Sequence, residues 1–453
     1  MKLSKLAVAL MSVGFATGAY ATNGMNMEGY GPIGAAMGGA SMAYDNGNAA
    51  MMNNPATLGL AQDGNRLDLA IGFLGPDVKA VCASAPCTGA SATSGGDAYL
   101  MPAGGWTRKN GGLTYGVGMF AQGGMGAEYA GSTWIGMTDG MAQRSELGVG
   151  RLIAPLSYNV NDKLSLGGSL DFVWANLDIK MAMPGNVLMG LVEPTSTMGL
   201  PGVPTVGRIN FSDDNDYTGK AKGTGWAGKL GFVYKASPMV TIGGTFHSKT
   251  SLDDLETSSR GSTFMADLTG DGAYTAAIGE VMPGRLTVRD FEWPETFAFG
   301  VAIQATPQTM LAMDIKHIGW ADVMEKFSMT FEPFGMPAGT KLDFALPQNW
   351  DDQTVVQVGV AHKVSDVLTL RAGASFASNP IPDQTVNYLF PAIVENHVSF
   401  GLGYVFNKES ELNFALTYAP EANQTSPGMP MMTPDVEHSH SQTNWQVMYT
   451  RRF

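Results

Sequence analysis

Apolar and polar side chains alternate along most of the chain after about residue 66. In segment 163–174, leucine and aromatic side chains occupy one face, and serine, glycine and aspartate occupy the other. Segments 240–247, 368–376 and 444–453 show the same alternation. Because neighbouring side chains of a strand point to opposite faces, this period of two predicts a protein built from β-strands.

The connections between these strands are of two kinds. Short polar turns lie at 109–112, 159–163, 235–238, 305–308, 364–366 and 407–410. Long irregular stretches lie at about 75–96, 122–144, 181–219, 250–287, 333–350, 377–395 and 421–442. Six turns join six strand pairs, and a first and a last strand bring the total to 14. Alternating short and long connections are typical of outer-membrane barrels. The sequence therefore predicts an all-β fold, a 14-stranded antiparallel transmembrane β-barrel with long extracellular loops.

The alternation also fits a soluble β-sandwich, in which the apolar face would form the core. Two observations favour the membrane barrel. A sandwich gives no reason for short turns at one end and long loops at the other, and the chain ends on the aromatic Phe453 within an alternating strand. A closed barrel also removes both sheet edges, which lipid cannot hydrogen-bond.

The first residues have the pattern of a secretory signal. Lys2 and Lys5 precede a short apolar run, and Ala19-Tyr20-Ala21 fits the small-x-small cleavage rule, so we expect residues 1–21 to be removed. A membrane anchor is the alternative, but the apolar run is too short to cross a bilayer. With the barrel pattern, this signal predicts the outer membrane of a Gram-negative bacterium, with its lipid and lipopolysaccharide as neighbours.

Residues 22–65 differ from the barrel, which we assign to 66–453. They are rich in glycine, alanine, methionine and asparagine and show no strand alternation. Because 14 strands enclose a lumen wider than side chains alone would fill, this segment is predicted to fold inward as an N-terminal plug. A disordered periplasmic tail is the alternative, which the low charge of the segment disfavours.

Composition excludes several other functions. The 453 residues include 15% charged residues and carry a formal charge of −13 without a basic stripe, so we expect no nucleic-acid partner. No catalytic triad motif, phosphate-binding loop or zinc helix is present, and we expect no enzymatic activity, no cofactor and no bound metal. Cys82 and Cys87 are close together in an exported chain, which favours a disulfide over metal binding.

Several segments, in order and spacing, resemble the FadL/TodX family of outer-membrane transporters for long-chain fatty acids and other hydrophobic compounds. They are Gly31–Ala56, which ends in Asn54-Pro55-Ala56; Leu113–Tyr129; Tyr158–Gly167; Leu370–Gly373; Asn379–Pro382; and Tyr404–Lys408. The resemblance covers nearly all of the chain after the signal. It implies a plugged barrel, and it implies roles for the residues discussed next.

The resemblance implies that Asn54, Pro55 and Ala56 belong to a plug element near a luminal ligand pocket, whose movement opens a path. An ordinary helix cap is the local alternative, because asparagine before proline suits a helix start. The resemblance also implies that Gly123, Gly124, Met125 and Gly126 form a kink that opens a lateral hole in the barrel wall. The alternative is the end of a strand, because glycine interrupts strands in either case.

Two further sets of residues are candidates for ligand contacts. An exposed apolar groove is predicted from Met183, Leu188, Met189, Leu191 and Val192 of one long loop, with Phe264 and Met265 of the next loop facing them. The alternative is that these side chains form the small core of a folded loop. Arg371 is predicted to face the lumen, where it would bind a carboxylate ligand or join a salt bridge within the wall.

These observations predict passive, energy-independent uptake of hydrophobic molecules, with long-chain fatty acids expected first. The predicted path runs from an external apolar groove through a luminal pocket to a lateral exit, and we expect a monomer. Alkanes or aromatic hydrocarbons are alternative substrates. A general porin and a surface adhesin are alternative functions; a porin would need an open, charged lumen without a plug.

Overall fold

The computed structural model describes residues 23–200, 202–212, 220–258, 261–428 and 433–453. The predicted signal, residues 1–21, lies outside the described residues. The helices are short: α1 (Pro32–Ala35), α2 (Gly185–Leu191) and 3-10 helices at Gly47–Met51, Pro55–Leu60, Gly136–Thr138 and Ala276–Ile278. Within the described ranges, no helix has the length and apolar composition needed to span a membrane.

In the described ranges, twenty-two strands join into one sheet. They are β1 (Gly64–Cys82), β2 (Ser91–Thr93), β3 (Tyr99–Asn110), β4 (Leu113–Tyr129), β5 (Gln143–Asn159), β6 (Leu164–Pro184), β7 (Val206–Asn210), β8 (Ala221–Lys235), β9 (Val240–His247), β10 (Ser251–Leu252), β11 (Leu255–Glu256), β12 (Thr263–Asp267), β13 (Val281–Arg289), β14 (Thr296–Gln304), β15 (Thr309–Ile318), β16 (Lys326–Pro333), β17 (Leu342–Pro347), β18 (Gln353–Lys363), β19 (Leu368–Ala377), β20 (His397–Asn407), β21 (Ser410–Ser426) and β22 (Val436–Arg452).

Antiparallel pairing closes this sheet on itself, because β1 pairs with β22 from Arg66–Arg452 to Cys82–Val436. A closed path of paired strands passes through 18 strands: β1, β3, β4, β5, β6, β7, β12, β13, β11, β8, β9, β14, β15, β18, β19, β20, β21 and β22. The all-β barrel is therefore present, but the prediction of 14 strands is wrong.

The miscount has a physical cause in the long connections. Stretches 181–219 and 250–287 are predicted to be irregular, whereas β7, β11 and β12 lie within them and β13 begins in the second. Beyond the part where β6 and β8 pair directly, from Leu164–Tyr234 to Leu177–Ala221, these strands continue the sheet. They hydrogen-bond backbone groups that an irregular loop would leave to water.

The short turns are where the sequence predicts them. The six tight connections join β3 to β4, β5 to β6, β8 to β9, β14 to β15, β18 to β19 and β20 to β21. Because the strands are antiparallel, these turns lie at one end of the barrel, together with the start of β1 and the end of β22. The long connections lie at the other end. The predicted segregation of connection lengths is confirmed.

The two faces of the wall have opposite character. On β6, the outward Leu170 is 58% exposed, whereas the adjacent Asp171 is fully buried. Phe297, Phe299 and Phe400 are likewise exposed on the outside. An apolar face exposed outside and a polar face buried inside is the reverse of a soluble sandwich and is the arrangement of an outer-membrane barrel. The structure thus decides between the two folds that the alternation allowed.

Residues 23–63, here called the N-terminal segment, precede the first strand and are nearly all buried. They bond to strands around the whole ring: Asp45 to Arg66 of β1 (2.6 Å), Asn54 to the Phe232 carbonyl of β8 (3.1 Å), the Ser41 amide to Asp314 of β15 (2.6 Å), the Gly38 amide to Ser399 of β20 (3.0 Å), and the Gly29 carbonyl to Gln446 of β22 (3.2 Å). The segment therefore contacts strands on several sides of the closed ring.

Glycines in the wall make room for this segment. A β-carbon added at Gly167 of β6 would lie 2.4 Å from the Ala56 nitrogen, and one at Gly231 of β8 would lie 2.1 Å from Asn54 Oδ1. Both separations are far below van der Waals contact, so only glycine allows the segment to pack at these places.

An outer loop between β12 and β13 is organised by one carboxylate. Glu280 Oε1 accepts the amides of Leu268 and Thr269, and Oε2 accepts the amide of Thr275. These hydrogen bonds, first that from Thr275, hold the pKa of the Glu280 carboxyl below its usual range. A carboxyl whose pKa is lowered by folding stabilises the loop above its ordinary pKa and loses that effect as the pH falls.

We predict that Glu280→Gln will loosen residues 268–279. The new amide NH₂ cannot accept the Thr275 hydrogen bond, so hydrogen exchange of this loop should be faster at pH 7. As the pH of the unaltered protein falls below the ordinary glutamate pKa of 4.5 and through the lowered folded pKa, the protection of these amides relative to their intrinsic exchange rates should fall. Glu421→Gln, at an exposed position, is the control. Equal exchange in Glu280→Gln and the unaltered protein would contradict the prediction.

Candidate functional site

The wall of the barrel has an aperture between β3 and β4. These strands pair from Asn110–Leu113 up to Ala103–Phe120, and there the pairing ends although both strands continue. Beyond this point β3 pairs with β1, and β4 pairs with β5. A hydrogen bond from the Gly95 amide to the Glu128 carbonyl (2.8 Å) connects the two sides again further out. We call the space between these two connections the wall aperture.

The predicted interruption, Gly123–Gly126, lies on the free edge of β4 at this aperture. The β4–β5 register shifts between Ala121 and Gly123, which leaves Gln122 as the extra residue of a bulge. The strand itself continues to Tyr129, so the glycines do not end it.

The start of the N-terminal segment lies against the inner edge of the wall aperture. Asn26 forms a bridge with Gly123, and the Gly124 amide donates to the Met25 carbonyl (3.2 Å). A β-carbon at Gly123 would lie 2.2 Å from that carbonyl oxygen, so glycine is needed for this approach. These contacts give β4 a backbone partner where β3 gives it none.

A cavity of about 340 Å³ adjoins the wall aperture. Its apolar wall includes Met25, Leu74, Leu100, Met101, Met125 and Leu147. Its polar wall includes Glu28, Asn176, His440 and Gln442. Leu100 is also 64% exposed, so one side chain both lines the cavity and reaches the outer face of the wall. We call this space the aperture cavity; it suits a molecule that is largely apolar.

A buried polar network connects the bulge to the N-terminal segment and to the neighbouring strands β5, β6 and β8. The Tyr30 hydroxyl donates to the Gln122 carbonyl (2.7 Å), and Arg151 donates to the Gln122 side chain. Arg151 also pairs with Asp171 (3.0 Å), which accepts a further charged hydrogen bond from Lys229. Removing one member of such a network leaves a buried charge unpaired, at a cost of about 3–5 kcal/mol. The network therefore holds the bulge in one position.

Asn54, Pro55 and Ala56, the residues predicted to form a plug element, begin a 3-10 helix that packs against β8. The Asn54 side chain accepts the Ala56 amide at the start of the 3-10 helix Pro55–Leu60. Its NH₂ group donates to the carbonyls of Met42 (2.8 Å) and Phe232 (3.1 Å). Asn54, Pro55 and Ala56 are fully or almost fully buried, so they join the N-terminal segment to β8 and cap a helix at once.

The predicted external groove is largely interior. Met183, Leu188 and Phe264 are buried in an apolar cluster of the outer strands, against which Leu191 and Val192 pack. Met265 is half-buried, and Met189 is 36% exposed. The structure therefore brings these residues together, but with most of them inside the outer sheet rather than on an open surface.

The remaining predicted residues lie away from the aperture cavity. Arg371 of β19 donates to Asn413 of β21 (3.0 Å) and does not line the cavity. Cys82 and Cys87 form a disulfide. Among the described residues, no three His, Cys, Asp or Glu side chains are grouped so that they could hold a metal ion.

Sequence reasoning missed the polar side of the site. Arg151, Asp171 and Lys229 lie on strands whose alternate residues are apolar, so their inward direction was readable from the alternation. Glu28 and His440 carried no such signal as a pair, because they are 412 residues apart and only barrel closure brings both to one cavity.

Comparison with known proteins agrees with this architecture. Residues 8–433 match the family model described as outer membrane protein transport protein (OMPP1/FadL/TodX). The crystal structure of the toluene transporter TodX from Pseudomonas putida superposes with a TM-score of 0.79 and 31% identity, covering 95% of this chain and 100% of that one.

Two curated relatives match over shorter stretches. An uncharacterised protein from Chlorobium limicola, encoded 5′ of a phosphoenolpyruvate carboxykinase gene, is 55% identical over 74 residues, 16% of this chain and 36% of that protein. The long-chain fatty acid transport protein of Salmonella typhi is 23% identical over 265 residues. That match covers 58% of this chain and 57% of the relative, so the chain matches little more than half of its length.

Two findings assign this chain to a family. One is the family match over most of the chain, and the other is the closed barrel with its apolar outer face. The chain belongs to the OMPP1/FadL/TodX family, whose members are outer-membrane transport channels for hydrophobic compounds.

Proposed function

We propose that this protein is a passive, energy-independent channel that releases hydrophobic molecules sideways into the outer membrane through the wall aperture. One observation supports this above the others. Three features adjoin one another at the wall aperture: the free edge of β4, the aperture cavity of about 340 Å³ and the start of the N-terminal segment.

Energetics favour the lateral route over an axial one. Burial of apolar surface contributes about 25 cal/mol per Å². A hydrophobic molecule therefore gains much by passing from the aperture cavity into lipid and little by entering periplasmic water. The axial route would also pass the N-terminal segment and the charged side chains of Arg151, Asp171 and Lys229.

In this proposal the N-terminal segment is the plug, and its first residues are the gate. Asn54 and its neighbours hold the body of the segment against β8. Met25 and Asn26 bond the edge strand at the aperture, and the Asn26 side chain also accepts a hydrogen bond from Trp293 (2.9 Å). The few contacts at Met25 and Asn26 are easier to break than the many that hold the rest. Displacement of these two residues would widen the path from the lumen to the aperture.

On the outer side, we propose a smaller entry surface than the sequence suggests. Met189, Leu191 and Met265 keep exposed apolar atoms at the rim of the outer sheet, and Met183, Leu188 and Phe264 support them from inside. An exposed apolar patch on the extracellular side of the barrel can bind a hydrophobic molecule before that molecule enters the lumen.

For the substrate, we place monoaromatic hydrocarbons first and long-chain fatty acids second. The likeness to the toluene transporter TodX covers nearly the whole chain at 31% identity. The likeness to the long-chain fatty acid transport protein is 23% over 58% of the chain. The order is therefore the reverse of the expectation from sequence, and uptake of toluene against oleate is the test.

We predict that Met101→Trp will lower toluene uptake severalfold, because the indole would fill part of the aperture cavity behind the opening. Uptake of labelled toluene and labelled oleate should be compared in intact cells that carry equal amounts of each variant in the outer membrane. Leu69→Trp is the matched control, since Leu69 is exposed on β1 and does not line the cavity. If Met101→Trp transports both compounds normally, the lateral route is wrong; if only oleate enters the unaltered protein, the substrate order is wrong.

We predict that Gly123→Ala will increase uptake. The added methyl group would overlap the Met25 carbonyl oxygen, 2.2 Å away, and push the gate from the edge of β4. The control is Gly104→Ala on β3, where the nearest heavy atom would lie 3.4 Å from the new carbon. Slower uptake in Gly123→Ala than in Gly104→Ala would count against a gate at Met25.

Deletion of residues 23–62 should leave a folded barrel with a larger ion conductance. The deletion opens the lumen, and the polar inner face would then meet water instead of the segment. Heat-modifiable electrophoretic mobility reports folding, and planar-bilayer recordings report conductance. A folded deletion variant that conducts no better than the intact protein would show that the segment does not block the lumen.

A further inference from the structure

The polar wall of the aperture cavity contains three buried side chains with unused hydrogen-bonding atoms. Glu28, His440 and Gln442 are each less than a tenth exposed, and all three line the cavity. In the part of the chain that the structure describes, Glu28 Oε1, His440 Nε2 and Gln442 Oε1 have no hydrogen-bond partner. Buried polar atoms are normally paired, so three atoms without a protein partner beside one cavity give this side of the cavity a polar character.

The chemistry of these three atoms can be derived from their surroundings. His440 Nδ1 lies 2.9 Å from the Pro391 carbonyl oxygen, which only accepts, so Nδ1 carries the hydrogen. In the neutral ring, Nε2 then has a free lone pair. The carboxylate oxygen of Glu28 and the amide oxygen of Gln442 are acceptors as well. The polar wall therefore offers three acceptors to whatever occupies the cavity.

The position of this acceptor group is fixed by the barrel. The Glu28 carbonyl accepts a hydrogen bond from Gln357 (2.7 Å), and the next residue, Gly29, accepts one from Gln446 of β22. His440 and Gln442 are two residues apart on β22 and share its inward face. The acceptors thus stand on two separate parts of the chain, and the apolar side chains of Leu74, Met101 and Leu147 line the same cavity.

We propose that the aperture cavity binds hydrophobic molecules with a neutral hydroxyl group, such as a phenol or a long-chain alcohol. This inference rests on the proposed function only in using the same cavity. The hydroxyl donates its hydrogen to one of the three acceptors, and the hydrophobic body lies on the apolar wall. A carboxylate has no hydrogen to donate and would place its charge beside Glu28, so it is disfavoured at this position. A pure hydrocarbon fits the apolar wall but leaves the acceptors unpaired.

The test uses two probes of nearly equal shape, 4-methylphenol and 1,4-dimethylbenzene, with 4-methylbenzoate as the anionic probe. Binding to the full chain in mild detergent is measured by titration calorimetry, with protein-free micelles subtracted. We expect 4-methylphenol to bind about tenfold tighter than 1,4-dimethylbenzene, the ratio typical of a good hydrogen bond to a buried acceptor. The benzoate should bind most weakly.

Three variants test the assignment of the atoms. Glu28→Leu, His440→Phe and Gln442→Leu each replace an acceptor with an apolar side chain. Because a hydroxyl has one hydrogen to donate, at least one of these variants should lower the phenol-to-xylene affinity ratio severalfold. Glu437→Gln is the control, because Glu437 lies on the same strand with its side chain exposed on the other face. Heat-modifiable mobility identifies any variant that fails to fold, and the other two then decide the outcome.

The outcomes separate this inference from the proposed function. Equal affinity for the phenol and the xylene, or a ratio that all folded variants retain, would overturn the hydroxyl site, because the acceptors would then bind only water. Tight phenol binding with normal transport in Met101→Trp would instead support the hydroxyl site and remove the lateral route.

Discussion

The requirement that every backbone amide and carbonyl facing lipid be hydrogen-bonded determines most of this structure. Lipid offers no partner, so the sheet must close, and pairing of β1 with β22 over the length of both strands removes the two edges. The same requirement explains why the apolar side chains point outward and why charged ones such as Asp171 are turned into the lumen.

The wall aperture is the place where this requirement is relaxed, and its surroundings compensate for it. Beyond Ala103–Phe120 the facing edges of β3 and β4 do not pair, and Met25 and Asn26 supply hydrogen bonds to β4 instead. The bulge at Gln122 is held by Tyr30 and by Arg151, which is itself paired with Asp171. A gap in a membrane wall is thus supported by a buried polar network on one side and an apolar cavity on the other.

The cavity combines two characters that a simple hydrocarbon channel would not need. Its apolar wall suits any hydrophobic molecule, whereas Glu28, His440 and Gln442 present acceptors at one end. A molecule that donates a hydrogen bond would be retained at the aperture longer than one that does not, because it pairs one of these atoms. Selectivity in this channel would then come from a few polar atoms, with the driving force supplied by apolar burial.

The sequence by itself determined the wall. Alternation in segments such as 163–174 and 444–453, with short polar turns between strands, predicted an all-β barrel with both ends on one side, because these signals are local along the chain. It did not determine the number of strands, because the strands within 181–219 and 250–287 pair with partners far away and lack a clear alternation.

Only the tertiary structure decided the site. Gly123 was visible as an interruption, but its contact with Met25 and the meeting of Glu28 with His440 depend on closing the ring around the N-terminal segment, which no local pattern records.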